Sequence, residues 1–273
     1  MNLHQLFNSI EKVDPEIYDR IGSRRKAIRN FAGIGEKLAL AAVPLALGSL
    51  LNKAYSQTAP ADITGVLQYA LTLEYLEAEF YTKAVASGII PAGAATGALT
   101  TIRDHENQHV AFLTAVIKQL GATPVSKPTF DFTASGHFAN VFTNYDVLLA
   151  VAQTFEDTGV RAYKGQAGVL MSDNTVLTAA LNIHSVEARH ASHIRQMRRA
   201  RTNDATIKPW ITGKNPGGIS DDAVQKSYNG EELTTQAGVD ITAFVSSNAA
   251  SESFDEPLTY DQVIAIVQPF IKS

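Results

Sequence analysis

Two short stretches of this sequence carry most of the side chains that could do chemistry. Glu106 and His109 stand three residues apart, and so do Glu187 and His190. On a helix, positions i and i+3 project from one face, so each pair can turn a carboxylate and an imidazole toward one point. Glu74 lies 32 residues before Glu106, and Glu156 lies 31 before Glu187. Tyr81 follows Glu74 by seven residues, as Tyr163 follows Glu156. A glutamate, a tyrosine two turns on, and a Glu-x-x-His therefore occur twice in one order. Four carboxylates and two imidazoles form a ligand set for two metal ions. Glu106 and Glu187 can bridge, His109 and His190 can cap, and Glu74 and Glu156 supply one terminal carboxylate each. Oxygen and nitrogen donors with open positions suit iron or manganese in a site reactive toward peroxide or dioxygen.

Glu77, one turn beyond Glu74, has Gly159 as its counterpart in the second repeat. It is either an alternative ligand to Glu74 or an extra carboxylate filling the room the glycine leaves, and the repeat spacing favours Glu74. Tyr81 and Tyr163 are candidates to hydrogen-bond the ligand carboxylates, or else core tyrosines with satisfied hydroxyls. His105 and His193 are expected outside the ligand set. Glu79 and Asp157 fall off the apolar stripes and are expected to face solvent.

Helices must position these residues. The first is expected from Asp62 to about Ala86, with an inward stripe of Ile63, Leu67, Ala70, Glu74, Glu77, Tyr81 and Ala84. The second opens after Pro91, runs Leu99, Ile102, Glu106, His109, Leu113, Val116, Leu120, and stops at Gly121. The third starts near the N-cap Asn144, runs Tyr145, Leu149, Ala152, Glu156, Gly159, Tyr163, and is expected to end by Gly165 or Gly168. The fourth follows Ser172-Asp173-Asn174 and runs Val176, Ala180, Ile183, Glu187, His190, Ile194, Met197. Arg195, Arg198, Arg199 and Arg201 close it, where cations suit the negative end of the helix dipole. Each stripe steps by three and four, the seam of an antiparallel bundle. A glutamate in the middle of every apolar stripe is costly unless paired or metal-bound. The fold class is thus all-α: a four-helix bundle of two repeated hairpins joined by a crossover of about 25 residues, which is the ferritin-like connectivity.

The remaining sequence bounds the function. Residues 23–29 hold the arginine pair Arg24-Arg25, followed by an apolar run from Leu38 to Leu51. That combination resembles a twin-arginine export signal, with cleavage expected after Ser56. The run is shorter than the roughly twenty residues a bilayer span needs, so no stable span is expected in the mature chain. Residues 202–273 are rich in glycine, serine, asparagine and threonine up to Asp255, and read as a wrap over the bundle with short strands. Thr259 and Gln262 form a capping-box pattern, so a short helix from Tyr260 to about Ile271 is expected to dock through Val263, Ile266, Val267 and Phe270. The expected division is leader 1–56, bundle 57–201 and wrap 202–273. A net charge of −4 without a lysine- and arginine-rich stripe argues against a nucleic-acid partner. The chain has no cysteine, which excludes disulfides, iron–sulfur clusters and thiolate metal sites within it.

The run Leu73-Glu-Tyr-Leu-Glu-Ala-Glu-Phe-Tyr81, the two Glu-x-x-His helices and Ser253-Phe-Asp-Glu-Pro-Leu258 resemble the ferritin-like domain family that includes desiccation-related proteins. The resemblance covers about residues 57–273, and the leader is similar to that of bacterial members. It implies a ferritin-like fold and a dimetal site, and no settled reaction. The function expected first is an exported, periplasmic protein holding two iron or manganese ions with peroxide- or dioxygen-linked redox activity, of catalase, peroxidase or ferroxidase type. The competing reading is a non-catalytic metal-binding or structural stress protein. A retained leader would leave the chain in the cytoplasm, and assembly into a homo-oligomer is compatible with either reading.

Overall fold

The computed structural model describes residues 60–272, so the export-like leader lies outside the described residues. Four long helices make the bundle: α1 (Ile63–Ala86), α2 (Ala94–Gln119), α3 (Tyr145–Leu170) and α4 (Asn174–Thr202). Their boundaries have local causes. Asp62 accepts from the Gly65 amide, Asn144 from Asp146 and Val147, and Asp173 from Thr175 and Val176. Each cap satisfies amides that the first helical turn leaves without a partner. Gly121 ends α2 at φ +79°, a left-handed conformation open to glycine without a Cβ penalty.

α1 packs along α2 and α3 along α4, and the two hairpins meet through α1 with α3 and α2 with α4. The ferritin-like bundle expected from the stripes is the fold observed. Two apolar clusters fill it. One gathers Leu67, Leu71, Leu113, Val116, Val176 and Ile183. The other gathers Phe80, Leu99, Ile102, Leu148, Phe155 and Ile194. Between them along every helix lies the layer of Glu74, Glu106, Glu156 and Glu187, each fully buried. A buried Leu or Phe contributes about 1.5–3 kcal/mol, so a layer of costly carboxylates can persist between two such clusters.

The C-terminal part wraps this frame with α5 (Asp222–Gln225), α6 (Ser247–Ser251) and α7 (Tyr260–Val267). β1 (Thr129–Phe130), in the crossover, pairs antiparallel with β4 (Ile271–Lys272), and β2 (Thr235–Gln236) pairs with β3 (Val239–Asp240). The Thr259/Gln262 capping box is formed, and Val263, Ile266, Val267 and Phe270 dock on the bundle. The Phe270 ring meets Phe155 edge-on at 4.8 Å. α7 ends at Val267, short of the expected Ile271: Pro269 sits in a 3-10 turn, and Ile271 is taken into β4.

Three expectations about the outer faces are corrected. α3 does not stop at Gly165 or Gly168 but continues to Leu170. Gly165 serves a different purpose, because a Cβ there would stand 2.0 Å from the Leu258 carbonyl oxygen where the tail crosses the helix. Asp157 does not face solvent. It is buried under the wrap, accepting from Arg195 Nε at 3.1 Å, Arg195 Nη2 at 2.5 Å and the Tyr228 hydroxyl at 2.8 Å. Arg195 and Arg198 are likewise buried, Arg198 donating to Gln153, so they act as internal cross-links rather than as solvated cations at a helix end. Arg161 donates to the carbonyls of Ser227, Asn229 and Glu256 and pairs with Glu231 at 2.6 Å. α3 is therefore buried on nearly every side, inward by the bundle and outward by the tail. Glu79 is partly exposed, held by Lys83 and Lys127. No helix among the described residues is long and apolar enough to cross a membrane.

Candidate metal centre

The middle of the bundle brings Glu74, Glu106, His109, Glu156, Glu187 and His190 together from all four helices. They form two overlapping groups. Glu74, Glu106, His109 and Glu187 offer ligand atoms within 4.8 Å of one another, and so do Glu106, Glu156, Glu187 and His190. Glu106 and Glu187 belong to both. Each Glu-x-x-His pair lies on one helical face, which is why α2 and α4 each deliver one shared carboxylate and one imidazole.

Nδ1 of His109 lies 3.1 Å from Glu74, 3.0 Å from Glu106 and 3.1 Å from Glu187. Nδ1 of His190 lies 2.9 Å from Glu106, 3.2 Å from Glu156 and 3.5 Å from Glu187. These separations do not bring hydrogen bonds in every case. Glu106 Oε1, Glu156 Oε2, both Glu187 oxygens and His190 Nδ1 are buried with no hydrogen-bond partner. Close approach without hydrogen-bond geometry is what lone pairs aimed at a common point produce. Buried polar atoms are normally satisfied, so five such atoms in one cluster point to a cation as their partner.

Two hydroxyls hold the remaining oxygens. Tyr81 on α1 donates to Glu156 Oε1 on α3 at 2.5 Å, and Tyr163 on α3 donates to Glu74 Oε1 on α1 at 2.5 Å. Each hairpin's tyrosine thus orients the other hairpin's glutamate. Glu77 belongs to neither ligand group. It is buried, and its Oε1 lies 3.3 Å from where a Cβ on Gly159 would stand, with Glu187 Oε2 at 3.9 Å from the same point. It occupies the space the glycine leaves, beside the cluster.

The electrostatics follow from crowding. Burial, with repulsion from Glu187 and Glu106 against the opposing bond from His109, pushes Glu74 up to about 8. Burial and neighbouring carboxylates hold Glu77 well above the usual carboxylate range, and burial does the same for Glu156 against the pull of His190. Burial also opposes charge on Glu187, but the close imidazoles of His109 and His190 win and draw it down. Both imidazoles are pushed up despite burial, His109 by Glu106, Glu187 and Glu74, and His190 by Glu156, Glu106 and Glu187. The cluster thus carries more negative charge than it can hold without protons or cations among it, which fits a site built for divalent ions.

Of the residues that spacing left outside the ligand set, His193 is exposed. His105 is partly buried and lies against His190, Nδ1 to Nε2 at 2.9 Å. Nothing in its spacing signals that contact. Tyr228 is missed altogether, and Asp157 and Arg195, expected at the solvent face and at the end of the fourth helix, pack with it behind α3 rather than at the ligands. No curated protein matches the chain. A buried carboxylate and histidine cluster that could hold metal ions, on a two-hairpin bundle, accords with the match of residues 61–200 to a family model described as a ferritin-like domain. The chain belongs to the ferritin-like domain family.

Proposed function

We propose that this is an exported dimetal protein in which two iron or manganese ions react with peroxide or dioxygen. The observation that carries the reading is the pair of overlapping ligand groups sharing Glu106 and Glu187, whose inward atoms have no hydrogen-bond partner. Glu74 and His109 would complete one position, and Glu156 and His190 the other. Carboxylate and imidazole donors favour iron or manganese over softer metals. Once bound, two such ions would together take up or give the two electrons exchanged when peroxide is oxidised to dioxygen or reduced to water.

The protein's own groups do the rest. Tyr81 and Tyr163 fix the terminal carboxylates, and the apolar clusters on either side of the layer keep bulk water out. His109, whose side chain is 12 % exposed, and the half-buried His105 mark the side where the cluster comes nearest to solvent, between α2 and α4. With no cysteine, the chain has no thiolate iron centre to deliver electrons. Peroxide dismutation needs none, since one peroxide is oxidised to dioxygen while another is reduced to water. Export rests on Arg24-Arg25 and the apolar run to Leu51.

The test is elemental analysis of the full chain purified without added metal, followed by dioxygen evolution from hydrogen peroxide and dioxygen uptake. About two iron or manganese ions per chain and turnover in one of these assays are expected. Two ions with no turnover, but a higher Tm, would leave the metal as a structural staple. A chain that binds none, even on reconstitution, would overturn the reading.

A further inference from the structure

The two halves of the cluster differ on their outer side. His105 immediately precedes Glu106 on α2, and its Nδ1 lies 2.9 Å from Nε2 of His190 on α4. The rings lie edge to edge and nearly coplanar, with centroids 5.2 Å apart and planes within 17°, as an in-plane N–H···N bond requires. His190 turns its other nitrogen, Nδ1, to Glu106, Glu156 and Glu187. A neutral imidazole that offers the Nδ1 lone pair to a metal carries its proton on Nε2, and that N–H needs an acceptor. His105 Nδ1 is placed to be that acceptor. Its own proton then sits on Nε2, and its partly exposed ring can meet water.

The equivalent position of the second repeat, immediately before Glu187, is Val186. A valine side chain neither donates nor accepts, so α4 returns no such support to His109. The internal repeat that makes the two metal positions alike in their ligands is thus broken in what lies behind them.

We propose that His105 is a positioning residue that holds His190 as an Nδ1 ligand and makes the Glu156/His190 position the tighter of the two. The inference rests on the two-ion reading of the cluster. Support of this kind behind a ligating histidine is worth about 10–100-fold in metal affinity.

The experiment is a Mn2+ titration of the full chain, followed by electron paramagnetic resonance, on wild type, His105→Val and His105→Asn. The valine copies the second repeat. The asparagine places an acceptor oxygen where Nδ1 stood. Wild type should take up two ions and show a coupled pair. His105→Val should bind the ion that wild type takes up first about 10–100-fold more weakly, so that the two ions enter together and the isolated-ion signal that wild type shows at limiting Mn2+ is lost. His105→Asn should recover the wild-type titration. Identical titrations for wild type and His105→Val would overturn the proposal. So would equal losses in both variants, which would assign His105 to packing rather than acceptance. A wild-type chain that binds no Mn2+ would overturn the two-ion reading itself, a result separable from the other two. Circular dichroism checks that the variants fold, as expected for a residue that is only partly buried.

Discussion

Glu106 and Glu187 take part in both ligand groups, whereas Glu74 and His109 serve one and Glu156 and His190 the other. Removing a shared carboxylate should therefore cost more than removing a terminal one. Glu187→Ala is expected to lose both ions, and Glu74→Ala to lose one while the Glu156/His190 position stays filled. Glu77→Ala is expected to keep both, because Glu77 stands beside the cluster and outside both groups. Metal content per folded chain separates the three. Retention of two ions by Glu187→Ala would sink the shared-ligand assignment, and loss of an ion from Glu77→Ala would move Glu77 into the ligand set. Removing a hydroxyl is a milder change: Tyr81 and Tyr163 act by orienting Glu156 and Glu74, and each also fills core volume.

At the scale of elements, α3 is where the tail is secured. Arg161, Asp157 and Gln153 face outward from the bundle yet are buried, because the chain after α4 passes over them. The tightest crossing is at Gly165, and the Leu258 amide donates to the Arg161 carbonyl one turn away at 3.1 Å. Gly165→Ala would set a methyl 2.0 Å from the Leu258 carbonyl oxygen, against backbone that cannot rotate aside. It should destabilise by about 1–3 kcal/mol. Gly168→Ala, with nothing near the added methyl, should instead stabilise slightly, by up to about 1 kcal/mol through helix propensity. Thermal unfolding of the two variants checks the pair, and equal shifts would mean that the close approach does not constrain the helix. These glycines also show where sequence reading stopped. Inward stripes repeat every three to four residues, so the four helices and the converging glutamates were legible from periodicity alone. The outward face of α3 carries polar residues that periodicity assigns to solvent. Only the tail, an irregular segment with no period of its own, turns Asp157 and Arg195 into buried partners and Gly165 into a contact rather than a stop. The His105 contact was illegible for a related reason, since it depends on how α2 and α4 are rotated against each other.

For the molecule as a whole, a buried acidic layer couples stability to both protons and metal. Burial and like charges raise Glu74 to about 8, and hold Glu77 and Glu156 above their ordinary range as well. A carboxyl group raised in the fold contributes stability that is intact below its unfolded value, about 4.5, and is lost as pH rises through the folded one. The imidazoles of His109 and His190, also raised, lose their contribution in the same direction above about 6.5. Chelator-treated protein should therefore lose Tm steadily from about pH 5 to about pH 8. Metal reverses the argument, because its ligands must be deprotonated to bind: affinity rises over the same range, and binding only the folded state adds stability by mass action. The gap in Tm between metal-loaded and chelator-treated protein should widen from pH 5 to pH 8. Calorimetry of both forms across that range measures it. A gap that is constant, or that narrows toward pH 8, would mean that the buried carboxylates are not the groups the metal displaces protons from, and that the ions bind elsewhere on the chain.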